Sequence, residues 1–262
     1  MHLDVTFDFT SDSKGYWDGL WGKDPVLGVS KVDPDAKSDT MRRYQYLLNR
    51  RELPNGEFFD LQYHSKPNLC WKGMRFSSDS IIASFRYRNY PLMLEIAKRP
   101  GYRDWVERYI REAYTIGGEI LFPINPSINS VRGFGNPSVT DRFDLTLLCI
   151  QRYYEGVESL DDYGMDRLLG AIRDNKRFFD CFVDFRGYVN FFFLQDAVDE
   201  DCNTILYLEY LGRPSTVEDY DSFMAKEMDF LRKRNQRIAK VDVKDWPVVY
   251  GPLRIDYHRY FR

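Results

Sequence analysis

Aromatic side chains constrain this chain more than any other feature of its sequence. The 262 residues include 19 Phe, 19 Tyr and 5 Trp, which together make up 16% of the chain. Rings of this size bury large apolar areas, and the polar groups of Tyr and Trp need hydrogen-bond partners when they are buried. We therefore expect a folded globular protein whose core is built largely from aromatic rings, and not a disordered chain.

The charge balance limits the partners that the chain can attract. With 37 basic and 40 acidic residues, its formal net charge is −3, so it has no overall field that would concentrate nucleic acid or an anionic membrane at its surface. No stretch approaches the roughly 20 consecutive apolar residues of a membrane span, and the first residues contain neither a basic leader nor an apolar signal core. We expect a cytoplasmic protein without membrane contact, for which nucleic acid is the least favoured partner.

The four cysteines give no sign of a metal or redox site. They lie far apart in the sequence, with no CxxC pair and no adjacent histidine, at Cys70, Cys149, Cys181 and Cys202. Zinc sites and thiol redox motifs need closer spacing. We expect four buried free thiols in a reducing compartment, and no metal site.

Hydrophobic periodicity predicts an irregular mixture of strands and helices. Apolar runs and period-two alternation predict strands at 3–9, 57–63, 69–76, 80–85, 119–122, 188–194 and 204–211. Helical spacing and capping residues predict helices beginning at Ser38, near Pro91, after Asp104, at Ser138 (to Tyr154), at Asp162 (to Phe179) and at Ser215, where Glu218 completes a capping box. A turn is expected at 53–56, and a loop at 123–137.

This order of elements predicts the fold class. Strands and helices do not follow a strict βαβ alternation, so we expect an α+β fold, with a mixed or antiparallel sheet packed against several helices around a single core. Residues 1–262 would form one domain, or two closely packed halves at about 1–122 and 123–262. The phase of each element predicts that the core contains Phe7, Phe143, Leu147, Ile150, Phe192 and Leu231.

Common sequence motifs of enzymes are absent. The chain has no GxxxxGK[ST] phosphate loop, no HExxH, no GxSxG, and no GxGxxG between a predicted strand and a predicted helix. The sequence therefore identifies neither a reaction nor a cofactor, and it leaves open whether the protein is an enzyme and what its oligomeric state is.

The loop before the helix predicted at Ser138 is the first candidate ligand site. It places Arg132, Gly133 and Gly135 just before that helix, so backbone amides and the helix N-terminus could bind an anion, with Arg132 as a charged donor. The alternative is that the glycines only allow the chain to enter the helix and that Ser138 is an ordinary N-cap.

Two charged residues that follow in the same helix belong to this hypothesis. Arg142 and Asp144 could face the loop while Phe143 points to the core. Asp144 is equally well explained as a partner of the helix dipole, whereas a cation such as Arg142 near the positive end of a helix needs a partner of its own.

A second polar cluster lies at the junction of two predicted strands. Lys72, Arg75, Ser78 and Ser80 supply cations and hydroxyls within nine residues, which could bind phosphate or a carboxylate. The alternative is a turn whose side chains bond to their own backbone.

The amide of Asn235 is a third candidate. It falls on the apolar stripe of the longest predicted helix, between Leu231 and Ile238. A buried amide needs partners, so Asn235 could fix the helix register or reach a ligand. The surrounding basic run, 232–237, is too short and too close to acidic residues to predict a nucleic-acid site.

Several short motifs resemble an uncharacterised family of bacterial proteins of similar length. They are LPNG at 53–56, SSDSI at 77–81, DRFDLT at 141–146 and RNxRI at 234–238. The resemblance spans about residues 33–238 and implies a bacterial cytosolic protein related to mobile elements or phages. It implies no activity, because the family has no established function.

Two hypotheses for function remain. In the first, the protein binds or processes a phosphate-bearing small molecule or nucleotide, with Asp79 or Asp144 as the general base. In the second, it is a protein-interaction module, an inhibitor or regulatory partner, that uses aromatic anchors such as those of segment 246–261. The first hypothesis expects Arg132 to point into a cavity and not to pair with a neighbouring carboxylate.

Overall fold

The chain folds into an antiparallel sheet surrounded by helices. The computed structural model describes residues 1–124, 128–133 and 135–252. These residues form a four-stranded sheet and eleven α-helices, and their buried apolar side chains make one hydrophobic cluster. The predicted α+β class with a single core is therefore confirmed. The division of the chain into domains stays a prediction.

The sheet has the strand order β1-β2-β3-β4, with every neighbouring pair antiparallel. Its strands are β1 (Gln62–Tyr63), β2 (Leu69–Trp71), β3 (Met74–Ser80) and β4 (Glu119–Pro123). In the longest ladder, Ser80 of β3 lies opposite Glu119 of β4. The last residues of β3 and the first residue of β4 therefore meet at one edge of the core.

The helices vary from single turns to one of 22 residues. They are α1 (Tyr16–Gly19), α2 (Pro34–Lys37), α3 (Asp39–Asn49), α4 (Pro91–Ile96), α5 (Tyr102–Ala113), α6 (Ile128–Arg132), α7 (Phe143–Tyr154), α8 (Tyr163–Asp174), α9 (Lys176–Phe179), α10 (Phe185–Phe191) and α11 (Val217–Ile238). Short 3-10 helices cover Ile116–Gly118, Asp180–Phe182 and Gln195–Ala197. No helix in the described ranges is both long enough and apolar enough to cross a bilayer.

Side-chain caps explain why several helices begin where the sequence predicts. The Ser38 hydroxyl accepts a hydrogen bond from the Met41 amide at 2.9 Å, and the Asp162 carboxylate accepts one from the Met165 amide at 2.9 Å. Each cap satisfies an amide that has no partner inside its helix. The helices predicted at Ser38 and Asp162 are therefore confirmed at their first residues.

Other predicted helix boundaries are wrong. The helix predicted at Ser138 begins five residues later, at Phe143, and α5 begins at Tyr102 after a left-handed Gly101 (φ 73°) instead of after Asp104. The N-cap of α11 is Thr216 and not Ser215. The helix predicted to reach residue 179 ends at Asp174, and the loop predicted at 123–137 contains α6.

The predicted strand at 3–9 is a series of turns. Asp4 and Asp8 accept hydrogen bonds from the amides of Thr6 and Thr10, both at 2.9 Å. An Asx side chain that bonds to the backbone two residues ahead forms a turn of its own, which competes with a ladder. Alternation of Asp or Thr with apolar residues is therefore not enough to define a strand.

Four further strand predictions are wrong or too long. Residues 188–194 lie mostly in α10, and the described structure has no strand at 204–211 or 81–85. Most of the aromatic run of 185–194 is buried, so its apolar pattern could not distinguish a strand from a helix. In the strand predicted at 57–63, only Gln62–Tyr63 pairs regularly.

The core is rich in aromatic contacts, as the composition predicts. Phe178, Phe182 and Phe192 contact one another with ring centroids 5.1–6.3 Å apart, and Phe182 also contacts Tyr188 edge-on at 5.2 Å. Of the predicted core residues, Phe143, Leu147, Ile150, Phe192 and Leu231 are buried and Phe7 is partly buried. All four cysteines are buried free thiols.

Buried arginines hold the segments that lack regular ladders. Arg234 of α11 is 2% exposed and donates hydrogen bonds to the carbonyls of Gly117 at 2.7 Å, Glu119 at 2.8 Å and Phe192 at 3.0 Å. One guanidinium thus joins α11 to the start of β4 and to the end of α10. Burial lowers the pKa of Arg234 to about 10.

We expect Arg234→Met to lower the free energy of unfolding by about 3 kcal/mol or more, because three buried carbonyls would lose their donor while the side-chain volume is kept. Urea unfolding followed by circular dichroism measures this change. The control is Arg232→Met on the exposed face of α11, which loses only a surface ion pair with Glu112, worth about 1 kcal/mol or less. Equal effects of the two variants would contradict the role of Arg234.

Candidate functional site: a carboxyl-lined pocket

A polar pocket opens beside the end of β3 and the start of β4. It has a volume of about 270 Å³. Among the side chains that line it are Asp79, Ser84, Arg86, Tyr87, Tyr109 and Asp141. We call it the Asp79–Asp141 pocket, because two carboxylates from distant parts of the sequence face the same space.

Asp79 is fixed through one of its two carboxylate oxygens. Arg132 of α6 donates a hydrogen bond to Asp79 Oδ2 at 2.5 Å, and the same guanidinium reaches the Ser80 carbonyl at 2.9 Å and the Thr146 hydroxyl at 3.2 Å. No described residue donates a hydrogen bond to Asp79 Oδ1, and the side chain is 22% exposed. Burial raises the pKa of Asp79 to about 6, with Asp141 and Asp33 adding to the shift and Arg132 opposing it.

The Asp141 carboxylate, like that of Asp79, is held through one of its two oxygens. The Tyr87 hydroxyl donates a short hydrogen bond to Asp141 Oδ2, and no described residue donates to Oδ1. The backbone of Asp141 is left-handed (φ 57°), and so is that of Phe85 (φ 51°) on the pocket wall. Left-handed non-glycine residues are strained and persist only where their surroundings hold them.

Behind Asp79, two more carboxyl groups lie against each other. Glu119 is 0% exposed, and neither of its oxygens receives a hydrogen bond from an N–H or O–H donor. The carboxyl group of Asp35 lies within hydrogen-bonding reach of it and has one shielded oxygen without a donor. Burial, and then the neighbouring carboxylates, raise the pKa of both groups well above the usual range. Neighbouring carboxyl groups disfavour ionising together, so we expect this pair to share a proton at pH values where exposed carboxyl groups have lost theirs.

Two further buried groups near the pocket are incompletely paired. Glu227 of α11 is 1% exposed; its Oε1 accepts a hydrogen bond from the Ala83 amide at 3.0 Å, while Oε2 has no donor. Tyr109 of α5 lines the pocket at 6% exposure; its hydroxyl faces Ser84 and forms no hydrogen bond of normal geometry within the described residues. Buried polar atoms without partners are rare, so each of these groups calls for a physical explanation.

The pocket wall also carries a cation. Arg86 donates to the Ser84 hydroxyl at 2.7 Å and to the Gly28 carbonyl, and both of these acceptors are neutral. It forms no ion pair with any residue in the described part of the chain. The pocket thus has on one wall a positive charge that no described carboxylate pairs, and on another wall two carboxylates that are each held through one oxygen.

The structure brings together part of each of the two sites predicted from the sequence. Arg132 comes from the first candidate and Ser80 from the second, and they meet through the Ser80 carbonyl at the edge of the pocket. Arg132 does not point freely into a cavity, however, because it pairs with Asp79 and is 2% exposed. The expectation of an unpaired Arg132 is therefore wrong.

Other predicted residues serve different parts of the fold. Arg142 pairs with Asp144 and donates to the Tyr210 carbonyl at 2.5 Å, with no exposed surface. Ser138 bonds to Asp162 at 3.0 Å and is not an N-cap, so the amides of Gly133 and Gly135 do not lead directly into a helix.

The remaining predicted residues lie outside the pocket. Lys72 pairs with Glu57 at 2.6 Å on the surface, and Arg75 and Ser78 are half-buried along β3. The Asn235 amide accepts from the Gly117 amide at 2.8 Å and donates to the Thr115 hydroxyl at 2.9 Å, so it fixes α11 against the turn before β4. Of the predicted segments, residues 125–127, 134 and 253–261 lie outside the described residues.

Sequence reasoning missed Asp35, Arg86, Glu119 and Glu227. Glu119 begins an otherwise apolar strand, and Glu227 lies on the buried stripe of α11. A carboxylate at an apolar position of a pattern is a usable signal, because charged residues are almost never fully buried without a reason. Asp35 and Arg86 carry no comparable signal.

A larger cavity of about 680 Å³ lies between α5 and α11. Its charged rim is closed largely by exposed pairs, Arg99 with Asp221 and Arg232 with Glu112. We place the candidate site in the smaller pocket, because Asp79 and Asp141 line it and Glu119 and Glu227 contact the wall residues Ser80 and Ala83 from behind, whereas Tyr109 lines both cavities. In the described ranges, no three His, Cys, Asp or Glu side chains converge closely enough to hold a metal ion.

These features define an α+β protein with a carboxyl-lined pocket at one edge of its sheet. A family model described as a family of unknown function, DUF6994, matches residues 3–238, so the chain belongs to that family. None of the curated proteins and none of the solved structures compared with the chain matches it.

The role of Arg132 can be tested by its removal. We expect Arg132→Ala to lower the free energy of unfolding by about 3 kcal/mol, because Asp79 and the Ser80 carbonyl would lose a buried partner. Thermal and urea unfolding measure this change. Arg108→Ala, which removes an exposed arginine of α5, should change stability by about 0.5 kcal/mol or less. An unchanged melting temperature for Arg132→Ala would contradict the structural role.

The shared proton of Asp35 and Glu119 predicts a pH dependence of stability. The native state keeps a proton that the unfolded chain releases above about pH 4.5, so stability falls as the pH rises toward the raised native pKa. Glu119→Gln removes this titration. We expect the wild type to lose stability relative to the variant between pH 5 and 8, by up to about 1.4 kcal/mol per pH unit.

Urea unfolding of both proteins across this pH range measures the difference. Glu158→Gln, at an exposed position, is the control and should follow the wild type at every pH. A constant difference between wild type and Glu119→Gln would show that Glu119 does not retain a proton.

Proposed function

We propose that the Asp79–Asp141 pocket binds a small phosphate-bearing molecule, such as a nucleotide. The observation that carries this proposal is the guanidinium of Arg86, which has only neutral partners among the described residues, in a pocket that also presents one oxygen each of Asp79 and Asp141 without a described donor. A ligand with an anionic group at one end and hydroxyl or amine donors at the other would satisfy both walls.

The charge distribution supports this orientation. A guanidinium whose protein partners are all neutral can form charge-assisted hydrogen bonds to a phosphate. The carboxylates would repel the phosphate and accept hydrogen bonds from hydroxyl or amine groups. The anion donor in this proposal is therefore Arg86 and not Arg132, whose charge is already engaged by Asp79.

Aromatic walls support a nucleoside as the remainder of the ligand. Phe85, Tyr87, Tyr109 and Tyr114 line the pocket, and aromatic rings are the usual surfaces on which bases stack. The unpaired Tyr109 hydroxyl adds a donor or acceptor for a polar edge. We also propose a bacterial, cytoplasmic setting, which is supported by the motif resemblance and not by any feature of the pocket.

Isothermal titration with AMP, adenosine and inorganic phosphate tests the proposal. We expect AMP to bind more tightly than adenosine or phosphate alone, because only AMP reaches both walls. Arg86→Ala should weaken AMP binding by about 10- to 100-fold, the effect of losing one charge-assisted contact of about 1.5–3 kcal/mol. Adenosine binding should change little.

Arg108→Ala is the matched control, because Arg108 is an exposed arginine that lines the groove between α5 and α11. It should bind AMP like the wild type. Loss of binding in Arg108→Ala but not in Arg86→Ala would move the site to the groove. No binding of any of the three probes at millimolar concentration would remove the proposal.

The alternative function, a protein-interaction module, is supported by one observation at the edge of the sheet. Residues 249–251 pair with β1 through the Val249 carbonyl and the Gly251 amide, which bond to Tyr63 at 2.7 Å and 2.8 Å. The neighbouring side chains of Val248 and Tyr250 are exposed, Tyr250 at 73%. Apolar side chains on a strand at a sheet edge are a common feature of strand-mediated docking.

A further inference from the structure

We propose that the Asp79–Asp141 pocket cleaves the glycosidic bond of its ligand with water, and that Asp79 and Asp141 are its acid and base. This inference rests on the proposed binding function and names the reaction and the substrate class, a nucleoside monophosphate. It depends on the geometry of the two carboxylates, the charge they present to a bound ligand, and the unpaired groups around them.

The two carboxylates have the same construction. Each has one oxygen held by the protein, by Arg132 for Asp79 and by Tyr87 for Asp141, and no described residue donates to the other oxygen. A side chain held through one oxygen keeps its orientation while the second remains available for proton transfer. Two such groups lining one cavity can supply the acid and the base of a hydrolysis.

The negative charge of Asp79 and Asp141 favours one class of hydrolytic reaction over the others. Acyl and phosphoryl transfer develop negative charge on oxygen, which two facing carboxylates would oppose. Glycosidic cleavage passes through an oxocarbenium-like transition state, whose positive charge the same carboxylates stabilise. With the phosphate at Arg86, the sugar and its glycosidic bond would lie toward the carboxylates.

Buried groups support this assignment independently of the carboxylate pair. Tyr109, which is 6% exposed, lines the cavity with an unpaired hydroxyl that could bind the departing base or a sugar hydroxyl. Burial holds the pKa of Asp79 at about 6, so a useful fraction of Asp79 is protonated near neutral pH. The negative charges of Asp141 and Asp33 add to this shift of the Asp79 pKa.

The proposed reaction transfers one proton at each of the two carboxyl groups. Asp79 donates its proton to the leaving nitrogen of the base while the C1′–N bond breaks. Asp141 accepts a proton from water as the water oxygen bonds to C1′. The products are the free base and ribose 5-phosphate, and proton exchange with solvent restores Asp79 and Asp141.

Base release from AMP, GMP, CMP and UMP, followed by chromatography, tests the reaction. We expect the wild type to release base from at least one of them, with ribose 5-phosphate as the second product and no free phosphate. Asp141→Asn keeps an oxygen acceptor for Tyr87, and we expect it to reduce base release by about 100-fold or more, the usual contribution of a general acid or base. Affinity measured by titration should change by less than about threefold.

Asp79→Asn should also reduce base release by about 100-fold or more, and it should change how the rate of base release depends on pH. In the wild type we expect the rate to fall as the pH rises above about 6, because Asp79 loses the proton that it donates. The residual rate of Asp79→Asn should not fall above pH 6. If Asp79 were only structural, the variant would keep the pH dependence of the wild type. Arg108→Ala is the activity control and should match the wild type.

The outcomes separate this inference from the proposed function. If nucleotides bind and no base is released, the glycosidic reaction is wrong and the binding function stands. Release of phosphate in place of base would also overturn the reaction. If no nucleotide binds at all, both proposals fall. If Asp79→Asn fails to fold, Asp141→Asn alone decides, and an unchanged rate in that variant would remove Asp141 from the mechanism.

Discussion

The fold depends on hydrogen bonds from three buried arginines to groups that have no secondary-structure partner. Arg132, Arg142 and Arg234 are among the largest fully buried side chains of the described structure. Arg234 reaches the turn before β4 and the end of α10, and Arg142 reaches the bent segment 207–212. A guanidinium has five donors in one plane, so a single side chain can satisfy several carbonyls that would each cost about 1–3 kcal/mol if left unpaired. Irregular segments can therefore run through the interior without a regular ladder.

The same constraint produces the site. Arg132 anchors Ser80 and Asp79, which brings the end of β3 against the start of β4 and places Glu119 next to the acidic residues of 33–35. One cation then faces more carboxyl groups than it can neutralise. Burial, and then the neighbouring carboxyl groups, raise the pKa values of Asp79, Asp35 and Glu119. The acidic groups at this edge of the sheet therefore hold their protons to higher pH than exposed carboxyl groups do.

The sequence predicts those elements of the fold that depend on interactions between residues close together in the chain. The caps at Ser38 and Asp162, the turn at 53–56, the buried strand at 119–122 and the α+β class follow from neighbouring residues and are confirmed. The runs 188–194 and 204–211 could not be assigned locally. The first lies mostly in a buried helix, and the second takes its shape from Arg142, which is about 65 residues away in sequence. For the site, local sequence patterns indicated Arg132 and the residues up to Ser80. They could not show that Arg132 forms an ion pair with Asp79, because the two residues are far apart in the sequence.

Glu119 and Glu227 indicate what this arrangement is for. Each buries a carboxyl group with at least one oxygen that receives no hydrogen bond, and an apolar or amide side chain of similar size would remove that cost of a few kcal/mol. A fold that needed only stability would be better served by leucine or glutamine at both positions. We propose that this cost is recovered when a ligand binds in the neighbouring pocket, which also contains the left-handed residues Phe85 and Asp141 and an arginine without a described ion pair. The energetics of the core thus point to Glu119 and Glu227 behind the pocket wall, and the proposed chemistry uses Asp79 and Asp141, which line the pocket itself.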